Sequence, residues 1–448
     1  MTAEEVQRAE RTVRVPGTRW ILGGMAAVLV AAVSMRSPLT SVGPVLGLIG
    51  ADTGLSHTLL GLLSALPLLA FAAVSPIVYG PVRRIGIERT VAWALAALAV
   101  GCVFRVVPGQ PELWIGTAVV GAGIAVCNVL IPVVLRRDYP LRVALMTAVY
   151  SATMGTVAAL ASGVSQPLSH LSGSWRLSLA IWAVPAAAGA VVWLLRRSRA
   201  TPEPEPDRED PTPVWRSPRA WQLTAVMGLQ STTFYIMVAW LPSIATSHGA
   251  SDALGGWYLF EYQVIGILAG LGLPSVLHRA GTPLTGILVA APLVIACLGI
   301  ITLPAALPAW VLLAGISSGA ALVYALTRIS LAARTSAHAT RLSGMAQSIG
   351  YLVAAAGPLV VGLLHTATGS WAVPVALLLA LGAAELATGL LAARPLLLPA
   401  GPAPPAAGDA FPTPVSGTER SRRAILGPYL VHSGWIEEHR SPSGPYST

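Results

Sequence analysis

The chain has 448 residues, of which 54% are hydrophobic and only 10% are charged. Soluble domains carry about 25% charged residues, so this composition predicts a membrane protein and disfavours a soluble enzyme. The net charge of +9 would suggest nucleic-acid binding in a soluble protein, but here the arginines fall between apolar runs, where they set membrane topology.

A helix needs about 20 apolar residues to cross a bilayer, and the chain contains twelve runs that meet this length. The runs of the first half are 20–49, 55–80, 89–107, 112–134, 143–168 and 176–195. Those of the second half are 219–246, 254–277, 283–303, 308–332, 342–366 and 371–393. The sequence therefore predicts an all-α membrane protein with twelve transmembrane helices in two six-helix halves.

The polar segments divide the chain. Residues 1–19 form a polar N-terminal segment, 196–218 a linker rich in proline and acid, and 394–448 a Pro/Ala/Gly-rich tail. These compositions predict an extended linker and a disordered tail. The two helical halves are thus expected at 20–195 and 219–393.

The arginines predict the orientation. They concentrate in the N-terminal segment, the linker and the even-numbered loops, and Arg105 and Arg176 are the main exceptions in the odd-numbered loops. Because basic loops stay in the cytoplasm, we expect both termini and the linker to be cytoplasmic in a multi-pass protein of the cytoplasmic membrane.

An internal repeat links the two halves. Arg142-x-x-x-Met146 opens the fifth span, and Gly173-Ser174-Trp175 follows it; Arg341-x-x-x-Met345 and Gly369-Ser370-Trp371 take the same places around the eleventh. Two such halves resemble the parallel-repeat plan of the major facilitator superfamily, which places a substrate site at the midplane between them.

The stretch from Arg36 to Pro44 stands out within the first span. An arginine at the centre of a membrane helix costs about 2.5–3.5 kcal/mol on insertion scales, so it faces a bundle interior or a hydrated cavity. Pro38 and Pro44 remove backbone donors and predict a bent or locally unwound helix. Arg36, Thr40 and Gly43 share one face, which we expect to be hydrated and to bind solute. The alternative is an arginine that only ties two helices together.

Other polar residues within the predicted spans are also candidates for the pocket. Asn128 either bonds neighbouring helices or lines the pocket, and Tyr235 belongs either to the core or to the pocket. Gln347 and Tyr351 share a face of the eleventh span, and we favour a pocket role for them.

Acidic residues at span depth are candidates for proton coupling. Glu261 lies about 200° around its helix from Gln263, so the two cannot face the same surface. Glu385 lies in the last span, where structural pairing is the competing interpretation.

Several stretches in order along the membrane core carry a resemblance: Arg36-Ser37-Pro38-Leu39-Thr40-Ser41-Val42-Gly43-Pro44, Asn128-Val129-Leu130-Ile131-Pro132, Arg137-Asp138-Tyr139-Pro140, Ala239-Trp240-Leu241-Pro242, Tyr262-Gln263-Val264-Ile265-Gly266 and Leu342-Ser343-Gly344-Met345-Ala346-Gln347. Together they resemble the cyanate and 2-nitroimidazole transporters of the major facilitator superfamily. The resemblance implies a small planar polar or anionic solute, with Arg36 as the cationic anchor and Gln263 and Gln347 forming the hydrogen bonds that orient it. The chain departs from the superfamily in the loop after the second span, where Arg83 stands in place of the usual acid.

We therefore expect a secondary active transporter that moves a cyanate-like solute by alternating access. The sequence has no ATP site and no catalytic constellation, so a gradient must drive transport, and we expect neither an enzyme nor a cofactor nor a metal site. The expected partners are the solute, the lipid bilayer and possible coupling protons, with no nucleic acid and a monomeric protein. The alternatives are an exporter of nitroimidazole-like or other drugs and, as a different class, a non-transporting membrane sensor.

Overall fold

The computed structural model describes four stretches of the chain, which are residues 18–139, 142–196, 214–332 and 336–393. The predictions for the N-terminal segment, for most of the linker and for the tail fall outside the described residues, and they stay predictions.

The regular elements within the described residues are all helical. The first half contains α1 (Thr18–Thr40), α2 (Val42–Thr53), α3 (His57–Val74), α4 (Tyr79–Ile85), α5 (Ile87–Phe104), α6 (Gln110–Asp138), α7 (Val143–Ser172), α8 (Trp175–Ala180) and α9 (Ala183–Leu195). The second half contains α10 (Pro218–Ser247), α11 (Asp252–Thr302), α12 (Leu307–Ala332), α13 (Ser336–Thr368) and α14 (Ala372–Ala393).

The described helices match the predicted spans. Eleven helical segments are long and apolar enough to cross a membrane, and α1 and α2 add a twelfth when this pair, bent by 45°, is counted as one span. The continuous helix α11 holds two of the spans, Asp252–Arg279 and Leu284–Thr302. The predicted fold class of twelve transmembrane helices in two six-helix halves is confirmed.

The bend between α1 and α2 has a local cause, as the sequence predicted. Pro38 lies inside α1, Pro44 lies near the start of α2, and neither can donate a backbone hydrogen bond. Side chains from elsewhere in the first half donate hydrogen bonds to backbone carbonyls near the bend. Arg105 Nη1 donates to the Pro38 carbonyl at 3.0 Å, and Gln166 Nε2 donates to the Pro44 carbonyl at 2.6 Å. The break is therefore held by the fold around it.

The end of the bundle at Arg196, where the linker begins, is called the linker end here. A buried charged cluster closes it within the first half: Arg137 pairs with Glu88 at 2.6 Å and with Asp138 at 2.9 Å, and Arg196 also pairs with Asp138. The cluster joins the start of α5, the end of α6 and the end of α9. It fixes the point at which the chain leaves the first half.

The opposite end of the bundle is called the far end. There Asp52 accepts from Trp175 Nε1 at 3.1 Å and pairs with Arg176 at 2.8 Å. The aspartate thus joins the end of α2 to the start of α8.

Glycines bring the two halves into backbone contact toward the far end. A Cβ atom on Gly43 of α2 would collide with the Val238 carbonyl of α10, and one on Gly61 of α3 would collide with the Pro358 carbonyl of α13. Small residues at such positions let membrane helices approach closely. This contact lies beside the bend of the first span.

Candidate functional site

A cavity of about 260 Å³ lies between the two halves, and we call it the central cavity. Its polar and aromatic lining comes from α1, α7, α10, α11, α12 and α13: Arg36, Ser151, Gln230, Ser231, Phe234, Tyr235, Tyr262, Gln263, Ser318 and Tyr351. No carboxylate is part of the lining that the structure describes. The cavity extends past Ala148 and Leu271 toward the linker end.

Arg36 provides the positive charge of the central cavity. Its side chain is half-buried, and the guanidinium carbon lies 5.0 Å from the centre of the Phe234 ring. Within the described residues no carboxylate forms an ion pair with it. Within the described residues the Arg36 side chain donates no hydrogen bond, so its N–H donors are available to a ligand.

Aromatic rings form the wall beside Arg36. The Phe234 ring lies 5.1 Å from Tyr235 and 6.2 Å from Tyr262, centre to centre, and Tyr235 lies 6.4 Å from Tyr351. These rings present flat apolar surfaces that carry polar hydroxyl groups, which suits a planar polar ligand. Tyr235, for which core and pocket roles were both open, lines the cavity.

Gln263 lines the cavity and also joins the two halves. Its amide nitrogen donates to Ser162 Oγ of α7 at 2.9 Å and lies 3.3 Å from the Leu259 carbonyl of its own helix. Glu261 does not line the cavity. The two side chains thus differ in placement, as expected from their positions around the helix.

The predicted hydration of the Arg36 helix face is wrong for its other two members. The Thr40 side chain is 2% exposed, and its hydroxyl donates to the Ala158 carbonyl of α7 at 2.8 Å. Gly43 packs against the Val238 carbonyl. The helix break places this end of the face inside packed protein, because α7 and α10 close over it.

Two other predicted site residues also lie off the cavity. Asn128 is exposed, and no residue of its helix α6 lines the cavity. Gln347 is half-buried, and its amide donates to Ser343 Oγ at 2.7 Å. Tyr351 lies one helical turn further along the same face and is the member of that pair that reaches the cavity.

The two candidate coupling carboxylates differ in environment. Glu261 is half-buried. Glu385 of α14 is 3% exposed and accepts a hydrogen bond from Thr233 Oγ1 of α10 at 3.4 Å. Thr233 is the neighbour of Phe234 in the chain, so Glu385 is bonded to the helix that carries part of the aromatic wall.

Arg105 is a buried residue that the sequence presented only as a loop arginine. It is 1% exposed, and it donates to the Pro38 carbonyl at 3.0 Å and the Leu179 carbonyl at 3.2 Å. Each carbonyl lies at a break, one between α1 and α2 and the other at the end of α8. Pro38 signalled the first break in the sequence, but nothing there showed which donor would reach it.

The far end of the central cavity is closed by a cluster that joins the halves, which we call the far-end cluster. His57 of α3 lies 4.2 Å from His365 of α13, and Trp371 lies 4.3 Å from His365, between ring centres. Beside them, the backbone N–H and hydroxyl of Thr58 lie 3.2 and 3.0 Å from Thr366 Oγ1. Nothing in the sequence showed that these two histidines, which belong to different halves, would meet.

Two six-span halves around one central cavity, closed at one end, define a membrane transport protein. The chain belongs to the Major Facilitator Superfamily, whose family model matches residues 24–358. It is a transporter rather than an enzyme, and the predicted family is confirmed.

The chain is similar to two transporters of Escherichia coli strain K12. It is 39% identical to the 2-nitroimidazole transporter over 355 residues, which are 78% of this chain and 90% of that protein. It is 28% identical to the cyanate transport protein CynX over 351 residues, which are 78% of this chain and 91% of that protein. Among solved structures, the nucleoside transporter NupG shares the fold with a TM-score of 0.69 at 12% identity, covering 83% of this chain and 100% of that one.

Proposed function

We propose that this chain is a secondary active transporter that moves a small planar polar or anionic solute across the cytoplasmic membrane. The observation that carries the proposal is Arg36, a half-buried cation without a carboxylate partner among the described residues, in a cavity walled by aromatic rings. A guanidinium suits such a solute because its planar fork matches a delocalised anion or a nitro group.

Within this proposal Arg36 anchors the solute, Tyr235 and Tyr351 flank its plane, and Gln263 orients it by a hydrogen bond. Thr40, Asn128 and Gln347 do not line the central cavity, so the proposal does not rest on them.

The arginine distribution supports a cytoplasmic linker end with both termini on the same side. The central cavity reaches toward that end, while the far-end cluster closes the other. In this orientation the structure corresponds to the inward-facing stage of alternating access.

The second candidate function is transport of a nitroimidazole-like ring compound. A cavity of about 260 Å³ with four aromatic lining residues has room for more than a triatomic anion such as cyanate. The similarity to a protein named 2-nitroimidazole transporter favours the same solute.

Coupling to protons is supported by the buried carboxyl group of Glu385. It accepts from Thr233, next to Phe234 in the cavity wall, so a change in its charge would be felt at the site. Glu261 is the other candidate. If replacement of both by glutamine left the pH dependence of transport unchanged, proton coupling through these groups would be excluded.

Uptake into proteoliposomes tests the solute and its anchor. We would compare the wild type with Arg36→Lys and Arg36→Ala, using cyanate and 2-nitroimidazole, with Arg89→Ala as a control at an exposed arginine. Loss of uptake in both Arg36 variants, with normal folding and an active control, supports the proposal. Normal uptake by Arg36→Ala would show that Arg36 is structural.

A further inference from the structure

A second, smaller cavity lies on the far-end side of the central cavity, and we call it the Arg105 cavity. Its volume is about 30 Å³, and its lining includes Pro38, Ser64, Arg105, Thr117 and Tyr235. Tyr235 belongs to the lining of both cavities. The Arg105 cavity has room for about one or two water molecules, so it is too small for a ring compound.

The charge of Arg105 has no counter-charge in the described protein. The side chain is 1% exposed and donates only to the carbonyls of Pro38 and Leu179, although a guanidinium has five N–H donors. Its Nε has no hydrogen-bond partner, and no described carboxylate pairs with it. Burial of an uncompensated charge is strongly unfavourable, so a further partner is expected.

Most of the cavity lining is apolar, and its few polar groups favour an anion over a cation. Ser64 Oγ is buried without a protein partner, so its hydroxyl is free to donate. Thr117 Oγ1 donates to the Leu113 carbonyl at 2.7 Å. No carboxylate lines the cavity within the described residues. A water molecule would satisfy single donors, but only an anion would also neutralise the guanidinium.

We propose that the Arg105 cavity binds one small monovalent inorganic anion of about the size of chloride. The Arg105 guanidinium and the Ser64 hydroxyl hold it, and the same arginine continues to cap the two helix breaks. The bound anion stabilises the bend of the first span. It lies on the side of Tyr235 that faces away from the central cavity. This site is separate from Arg36, so it does not depend on which solute the protein transports.

The test measures the melting temperature of the purified full-length protein in detergent. Sodium chloride is titrated against sodium gluconate at constant ionic strength, so that only the identity of the anion changes. We expect chloride to raise the melting temperature saturably, by about 2 °C, because a ligand that binds only the folded state stabilises it. Ser64→Leu fills the cavity, and Arg105→Gln removes the charge. Arg89→Gln serves as the control because Arg89 is exposed.

The proposal is supported if the chloride response persists in Arg89→Gln and disappears in Ser64→Leu and Arg105→Gln. It is overturned if the wild type responds equally to chloride and gluconate, since the cavity then holds only water, or if Ser64→Leu keeps the full response. If Arg105→Gln fails to fold, Ser64→Leu decides the matter together with a bromide-soaked crystal. An anomalous bromide peak in the cavity supports the site, and its absence there overturns it.

The same titration separates this site from the proposed function. Arg36→Ala is expected to lose uptake of the solute but to keep the chloride response. Loss of the chloride response in Arg36→Ala would show that the anion site is not separate from the central cavity. Normal solute uptake by Arg36→Ala would contradict the proposed role of Arg36 in transport and would leave the chloride site unaffected.

Discussion

The imidazole rings of His57 and His365 lie 4.2 Å apart and belong to different halves of the protein. Trp240 lies 5.9 Å from the first of them, and Trp371 lies 4.3 Å from the second. Within the described residues no carboxylate forms an ion pair with either histidine. Two imidazoles at this distance cannot both carry a proton without repelling each other, and the repulsion would act directly on the contact between the halves.

Acidification is therefore expected to open the far end. As the pH falls, protonation of both imidazoles places two positive charges side by side, so the closed far end loses stability. The measurement is the labelling rate of a cysteine introduced at the far end, followed between pH 8 and pH 5. The double variant His57→Gln/His365→Gln should lose the pH response, whereas His170→Gln, at an exposed histidine of the same end, should keep it. An unchanged response in the double variant would exclude the histidine pair as its source.

Removal of the Phe234 ring is expected to weaken solute binding. The ring lies against the Arg36 guanidinium at 5.0 Å, and a cation–π contact of this kind contributes about 0.5–2 kcal/mol. Phe234→Leu should raise the apparent KM about 2- to 30-fold, while Phe234→Tyr should stay close to the wild type. A normal KM in Phe234→Leu would mean that the ring does not position the arginine.

Loss of the hydrogen bond between Gln263 and Ser162 is expected to change the transport rate. The bond is 2.9 Å long and joins the halves, so it must break whenever α7 and α11 separate. Ser162→Ala should alter the maximal rate with little change in KM, whereas Gln263→Ala should change both because Gln263 also lines the cavity. Ser172→Ala, at an exposed serine of α7, is the matched control. A change in KM alone in Ser162→Ala would contradict a role in joining the halves.

Asp138→Asn is expected to destabilise the linker end. The Asp138 side chain is fully buried and faces both Arg137 and Arg196. Removing one partner of a buried ion pair typically costs about 3–5 kcal/mol, because the remaining charge is left uncompensated. A thermal melt of the purified protein should show a clear loss of stability, in contrast to Arg136→Gln at the neighbouring exposed arginine. Equal melting temperatures for the two variants would show that the cluster is not stabilising.

The sequence predicted the spans well because the bilayer requires long apolar runs, which are easily recognised in a sequence. Each crossing needs a long apolar run, and the described spans agree with the predicted ones within a few residues. The bend of the first span was also predictable, since Pro38 and Pro44 lack the donor that a continuous helix requires. Both features depend on local chemistry.

The site was only partly predictable because a helical face does not reveal its neighbours. Arg36 and Thr40 share a face, yet only Arg36 reaches the cavity, because α7 covers Thr40. Gln347 and Tyr351 share another face and differ in depth. The partners of Arg105 and of the two histidines come from distant spans, and these contacts depend on tertiary packing.

The glycines at the contact between the halves have a consequence for sequence variation. Gly43 and Gly61 lack side chains because backbone from the other half occupies the space where a Cβ would be. In the proposed alternating-access cycle this requirement exists only while the far end is closed, and a larger residue would fit once the halves part there. Selection at these positions thus acts on the conformation in which the far end is closed. A substitution that folds well can still be eliminated, because it holds the protein in the conformation in which the far end is open.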